Sequence, residues 1–226
     1  MFPLVYRLSF LCGLMPFMVF TNCFAQVDDS LRIVVVDTVK LSQLDRLNPG
    51  DKFPPVYFYN LKGEKCGSDS LFKAKPVIFI TGSYSCPIFR YNTKRMYKDI
   101  RRKSKNYDIY FVYLLEAHPL AGSPYGRLRD SSRQNKKDSI FITQQKYMQE
   151  RIAWAAKARN DFNINARVLV DNENNDFFLK FNASPNSYLE FSSEQLLLKR
   201  RTWYYKNGYM KPVKRKVKKP AMELKK

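Results

Sequence analysis

The residues that could do chemistry in this chain are few, and a single thiol leads them. Cys86 follows the apolar run Val77-Ile78-Phe79-Ile80 through the turn Thr81-Gly82-Ser83-Tyr84-Ser85, and Pro87 comes directly after it. A buried strand therefore feeds a sharp turn. Pro87, with no backbone N–H to lose, suits the first turn of a helix. A cysteine at a helix N-terminus faces unpaired amides and the positive end of the helix dipole, and both favour thiolate over thiol. Arg90, four residues on, shares the helix face and acts in the same direction. The expectation is a sulfur with a lowered pKa that attacks electrophiles near neutral pH. The plainer alternative is an inert cysteine at a strand end.

The motif is not Cys-x-x-Cys, because Phe89 stands three residues after Cys86 and Ser83 three before. An oxidised Cys86 would be a sulfenic acid, a mixed disulfide or another sulfur adduct, cleared by an external thiol or by Cys66. Cys66 lies on the preceding hairpin and reads as a passive core residue, with a resolving role as the alternative. His118 is the one histidine in 226 residues, which argues against a metal cluster. It closes Glu116-Ala117-His118-Pro119, just past the apolar run that begins at Asp108. Open α/β sheets place their sites at strand C-terminal ends. Glu116 and His118 share a face if the strand continues that far, and there they could relay protons beside the thiol.

The elements that must position these groups can be read in order. Val56 to Tyr59 is a strand, turned back by Asn60 to Glu64 towards Cys66. Val77 to Thr81 is a strand covered on both faces. Pro87 to about Ser104 is a helix with Ile88, Met96 and Ile100 near helical spacing and a strongly cationic opposite face that includes Lys94, Arg95, Lys98 and Arg101. A strand from Asp108 to Leu115 follows, then a polar insertion loop from Ala121 to Ser139. Thr143 is expected to cap a helix running to about Arg159. Arg167 to Val170 is a strand, Asn174 to Phe181 a short helix or turn, and Ser187 to Phe191 with Leu196 to Tyr205 a hairpin. Ile33 to Val36 is a further strand candidate. The early strands alternate with helices, which implies parallel pairing, and the closing hairpin makes the sheet mixed. This is the thioredoxin topology, an α/β fold with a mixed central sheet flanked by helices. In that topology Pro185, before the hairpin, is expected to be cis and to abut the reactive sulfur.

The ends of the chain differ from its middle. Residues 1–25 read as an export signal: Arg7 supplies the positive start, Leu8 to Phe20 the apolar segment, and Cys23-Phe24-Ala25 a cleavage site. A lipid anchor on Cys23 and a retained membrane anchor are the alternatives. Residues 26–50 are a lead-in, 51–206 the domain and 207–226 a basic tail. Export would place Cys66 and Cys86 in a periplasmic or cell-envelope compartment where disulfides persist. Of the net charge of +20, Lys199 to Lys226 carries +11, with 12 basic residues against one acid. The segment reads as a solvated tail or a contact for an anionic surface. No nucleic acid is expected, since no recognised binding motif is present.

With these residues placed, the chain from about Asp51 to Tyr205 resembles the iodothyronine deiodinase family, as a microbial, cysteine-containing member. Gly82-Ser83-Tyr84-Ser85-Cys86-Pro87-Ile88-Phe89 is similar to the active-site loop, with Cys86 at the selenocysteine position. Phe111 to Leu115 with Glu116-Ala117-His118-Pro119 is similar to the strand ending in the family's Glu-Ala-His-Pro. Glu150-Arg151, Ala155-Ala156, Val170-Asp171 and Asn174 add a weaker likeness. The resemblance implies reductive removal of halogen from an aromatic ring. Cys86 would attack the halogen, Ser83 would hydrogen-bond the sulfur, and Ser83, Glu116 and His118 would handle protons, with Pro185 and Arg90 in support. It implies no cofactor, an external thiol or redoxin as electron donor, and a homodimer as a possible assembly. Tyr84 stands where the family has an extra cysteine and Asn186 near its substrate-holding acid, so the small-molecule substrate need not be iodothyronine. A thiol peroxidase is the alternative enzyme. A non-catalytic module that binds an anionic envelope surface is the alternative outside catalysis.

Overall fold

The computed structural model describes residues 31–36, 46–126 and 130–201. The expected export signal and basic tail lie outside the described residues. Seven strands form one sheet: β1 (Tyr57–Tyr59), β2 (Lys65–Gly67), β3 (Val77–Gly82), β4 (Asp108–Tyr113), β5 (Arg167–Asp171), β6 (Tyr188–Phe191) and β7 (Leu197–Arg201). The helices are α1 (Pro87–Lys103), α2 (Arg133–Lys137), α3 (Met148–Asp161) and α4 (Asp176–Lys180).

The strand order is β2-β1-β5-β4-β3-β6-β7. β3 runs parallel to β4, and β4 parallel to β5. β6 returns antiparallel to β3, and β7 antiparallel to β6. The unit β4-β3-β6-β7, with α1 between its two parallel strands, is the thioredoxin-like arrangement that the sequence order implies. β3 sits between β4 and β6, and all six of its residues are buried. That is why its sequence is a continuous apolar run rather than an alternating one. Aromatic side chains fill one side of the sheet: Phe177 and Phe181 stack with ring centroids 4.2 Å apart, and Phe53 lies 4.7 Å from Phe181.

One contact sets where the thiol turn can lie. Phe89, in the first turn of α1, stacks on Phe111 of β4 at 5.0 Å. The last residue of β3 is Gly82, and a Cβ there would stand 2.6 Å from ring carbons of Phe89 and 2.7 Å from Phe111. The bare backbone of Gly82 therefore lets the start of α1 rest directly on the sheet.

Three expectations need correction. α3 begins at Met148, with Tyr147 as its N-cap and no side-chain cap, so Thr143 does not start it. Tyr147 is held instead in a bridge to Arg32, and Gln144 and Gln145 turn their side chains to Glu116. The stretch from Ala121 to Ser139 is not all loop, because α2 forms inside it, capped by the Ser132 hydroxyl on the Asn135 amide. Ile33 to Val36 adds no strand; Ile33 and Val34 donate single hydrogen bonds to Lys146 and Glu173.

The Gly82 contact makes a direct prediction. Gly82→Ala should destabilise the fold by ~1–3 kcal/mol, the usual range for overpacking a filled site. Urea unfolding of the variant beside the parent protein checks it, and an unchanged midpoint would refute the close contact.

Candidate active site

Cys86 is the N-cap residue of α1, in extended conformation at φ −78° and ψ 108°. Its amide donates to the Ser83 carbonyl at 3.2 Å, closing the turn, and its carbonyl accepts the first helical hydrogen bond from Arg90 at 3.1 Å. The sequence places the thiol correctly and misjudges its state. Cys86 is only 3% exposed. Burial pushes the thiol from the ordinary 9.0 up to about 11, against the pull of the Phe89 and Ile88 amides and the Arg90 charge; the Glu116 charge adds to the rise. The two amides face the sulfur, but no full capping hydrogen bond forms. Magnitudes decide the outcome. A helix terminus contributes ~0.3–2 kcal/mol, whereas full burial can shift a pKa by up to ~3–5 units, at ~1.4 kcal/mol each.

Glu116 is also placed differently from expectation. β4 ends at Tyr113, so Glu116 and His118 do not share a strand face. The Glu116 carboxylate is fully buried and turns back under the thiol turn. Its Oε2 accepts from the Ser85 backbone N–H at 2.6 Å, and its Oε1 from the Tyr113 hydroxyl and, at 3.3 Å, from Gln145 Nε2. Its own amide donates to Gln144 Oε1 at 3.0 Å. The hydroxyls of Ser83 and Ser85 complete the seam: Ser83 Oγ accepts from the Ala117 amide at 3.2 Å, and Ser85 Oγ from the His118 amide at 2.9 Å. The turn before Cys86 and the stretch after β4 are thus laced together, with Ser83, Glu116 and His118 all at the join.

Arg90 reaches the same seam from α1. Its Nη1 donates to the Tyr84 carbonyl and to Asn135 Oδ1, both at 3.0 Å, and its Nη2 pairs with Asp138 at 2.7 Å. Burial would raise the Asp138 carboxyl, but hydrogen bonds from Arg90, Gln134 and Tyr91 more than offset it and leave it below its ordinary value. Asn135 Nδ2 donates to the Ser85 carbonyl at 2.9 Å and to the His118 carbonyl at 3.1 Å. Tyr125 brings an enclosed hydroxyl without a hydrogen-bond partner, held well above its ordinary pKa by burial and then by the charge on Cys86.

Pro185 is not cis, since no cis peptide bond occurs among the described residues. The chain reverses there through Asn186, whose φ is 78°. The loop is held by Thr81, whose hydroxyl donates to the Ser184 carbonyl at 2.6 Å and accepts from the Ser187 amide at 2.7 Å. The residues on either side of Pro185 are thus tied to the end of β3, through a trans bond rather than the expected cis one. Cys66 lies on β2, four strands along the sheet from β3. At ~4.8 Å per strand that is roughly 19 Å, well past the ~7 Å Cα separation a disulfide allows. Among the described residues no group of three His, Cys, Asp or Glu side chains is placed to hold a metal ion.

Sequence reasoning missed Tyr113, Asn135, Asp138, Gln144 and Gln145. Tyr113 had the one usable signal, a polar group at the end of an apolar strand. The other four lie in polar stretches whose composition reads as loop.

No protein-family model matches the chain, and no curated protein matches it. Solved structures resemble it at low identity. The thioredoxin domain of a thiol-disulfide oxidoreductase from Bacteroides vulgatus is 16% identical with a TM-score of 0.45, over 69% of this chain and 89% of that one. A thiol:disulfide interchange protein from Bacteroides sp. is 16% identical with a TM-score of 0.45, over 69% and 82%. An uncharacterised conserved protein from Geobacillus kaustophilus is 11% identical with a TM-score of 0.48, over 75% and 77%.

Alkylation of Cys86 should rise with pH to a midpoint near 11, and peptide mass spectrometry resolves it from Cys66. A midpoint at or below ~8.5, the value of a free thiol, would contradict the burial. The linkage has a definite sign. The unfolded thiol loses its proton first, so this group's contribution to stability is intact below about pH 9 and falls between about 9 and 11. Cys86→Ser should remove that part of the alkaline loss. Separately, Glu116→Gln deletes a negative charge that opposes the thiolate while keeping an acceptor for the Ser85 amide, so the alkylation midpoint should fall. A rise would show that the carboxylate acts on the sulfur through something other than its charge.

Proposed function

We propose that this chain is a one-cysteine thiol oxidoreductase in which Cys86 takes an oxidising group from a small molecule and an external thiol restores it. The observation that carries the reading is the position of Cys86: a thiol at the start of α1, at the C-terminal end of an inner parallel strand, with Arg90 and Glu116 bearing on the sulfur. The separation from Cys66 favours an external reductant.

The likeness of the Cys86 loop and the Glu116–Pro119 stretch to deiodinases favours a halogenated aromatic ring as substrate. The thiolate attacks the halogen, the carbon–halogen bond breaks, and the ring carbon keeps the electron pair and takes a proton. One external thiol displaces halide from the sulfenyl halide to give a mixed disulfide. A second thiol frees Cys86 as a thiol and leaves as the external disulfide. Ring halide plus two thiols thus become ring hydride, hydrogen halide and one disulfide. Glu116 is saturated by Ser85, Tyr113 and Gln145, so its role in this scheme is to hold the turn, and His118 is the candidate proton carrier.

The enclosure of Cys86 favours a second reading, a thiol peroxidase. A 3% exposed sulfur is more easily reached by hydrogen peroxide than by an aromatic ring. There the thiolate takes one oxygen as the O–O bond breaks and the other oxygen leaves as water, giving sulfenic acid, and two external thiols return it with release of a second water and a disulfide.

The test is turnover by the full-length protein with dithiothreitol as reductant, comparing a halogenated phenol with hydrogen peroxide and using Cys86→Ser as control. Halide release that depends on Cys86 is expected for the first reading. Rapid peroxide consumption without halide release would establish the second. Equal rates for protein and control with both oxidants would defeat both and leave a thioredoxin-fold binding module. Export to the periplasm or envelope, and attachment to an anionic surface through the tail, belong to the same proposal. Fractionation of cells expressing the full chain, with and without residues 207–226, tests them.

A further inference from the structure

α2 is a five-residue helix, too short to be stable by itself, yet it carries a side chain bonded three times to the site. Asn135 is fully buried. Its amide commits both hydrogens and its oxygen to the thiol seam: one hydrogen on the Ser85 carbonyl, the other on the His118 carbonyl, and the oxygen on Arg90. The Ser85 carbonyl belongs to the peptide that leads into Cys86. The guanidinium that Asn135 accepts from is the one whose charge favours the thiolate. Asp138, one residue past α2, holds the other end of that guanidinium. α2 is thus pinned to the Cys86 turn by polar contacts, and its other residues are exposed or half-buried.

We propose that Asn135 is a positioning residue of the thiol site, holding α2 closed over the Cys86 turn and holding Arg90 within range of the sulfur. The inference rests on Cys86 being the reactive group. Its consequences follow from two opposed effects. Releasing Asn135 admits water to the sulfur, which removes the burial that suppresses the thiolate. It also frees Arg90, which weakens the pull in favour of the thiolate. Burial is the larger effect, so release should activate the thiol. The other groups bearing on the sulfur are Glu116 from the stretch after β4 and Tyr125 from the stretch before α2. Tyr113 stands behind Glu116, Asp138 behind Arg90, and His118 joins the seam through its main chain. All of them keep their identity in the Asn135 variants.

The experiment is iodoacetamide labelling of Cys86 against pH in the full-length protein, followed by peptide mass spectrometry so that Cys86 is read apart from the other three cysteines, with circular dichroism to confirm folding. In Asn135→Ala the rate at about pH 8 should rise by about tenfold and the midpoint should fall by about one pH unit, the equivalent shift. Asn135→Asp keeps an acceptor for Arg90 but turns a carboxylate towards two carbonyls. It should open the cover as alanine does, with a midpoint higher than alanine's because the added charge opposes the thiolate. A merely structural side chain would not separate the two variants in this way. A folded Asn135→Ala protein with unchanged rate and midpoint overturns the proposal. If that variant does not fold, Asp138→Asn carries the test at a partly exposed position. About a two- to threefold faster labelling supports the proposal, as expected for a partly screened contact, and no change overturns it. Labelling does not depend on turnover. A protein inactive towards both oxidants would therefore sink the functional reading and leave the role of Asn135 standing, and the reverse holds equally.

Discussion

The backbone N–H of Ser85 belongs to neither a strand nor a helix, and the site depends on how it is satisfied. β3 has ended and α1 has not begun, so the ladder offers no partner. A buried amide without an acceptor costs about 1–3 kcal/mol. Glu116 supplies the acceptor at 2.6 Å, and much else follows from this bond. The carboxylate must be buried to reach Ser85, and a buried carboxylate needs further donors, which Tyr113 and Gln145 provide. Gln145 can do so only while its stretch stays extended, which delays the start of α3 to Met148. The chain after β4 leaves the sheet at Tyr113 because Glu116 has to turn inward. A helix start, a strand end and the shape of the thiol turn are thus set by one acceptor for one amide.

The same geometry explains which parts of the sequence were legible. β3, α1, β4 and the β6–β7 hairpin carry continuous or periodic apolar patterns, and the parallel core with its antiparallel close could be read from them. The location of Cys86 followed from a strand, a turn and a proline. The start of α3 could not be read, because Thr143 is a good cap by type and nothing local shows that Gln144 and Gln145 are needed elsewhere. The thiol's state was hidden for a related reason. A helix N-terminus is visible in sequence, but the burial that outweighs it comes from Cys86 joining the apolar core, which no local pattern shows. Pro185 was legible as a position beside β3 and not as a backbone conformation, since the reversal there is made by Asn186.

A site with one sulfur gains from enclosure what it loses in reactivity. A dithiol centre traps its own oxidised form as an internal disulfide. Among the described residues Cys86 has no such neighbour, with Cys66 on the edge strand β2. An exposed sulfenic acid can be oxidised further, to states that thiols do not reverse. On the proposed reading, Cys86, 3% exposed as a residue, would be guarded against that second oxidant by the same packing that suppresses its thiolate. The two needs conflict only if the cover is permanent. Cys86 itself sits in the apolar core, but α2 is tied to the turn beside it by polar contacts at Asn135, Arg90 and Asp138, and these can separate at modest cost because water replaces each contact as it opens. On the proposed reading, the polar composition that hid α2 in the sequence would let it open beside a thiol that has to be reached.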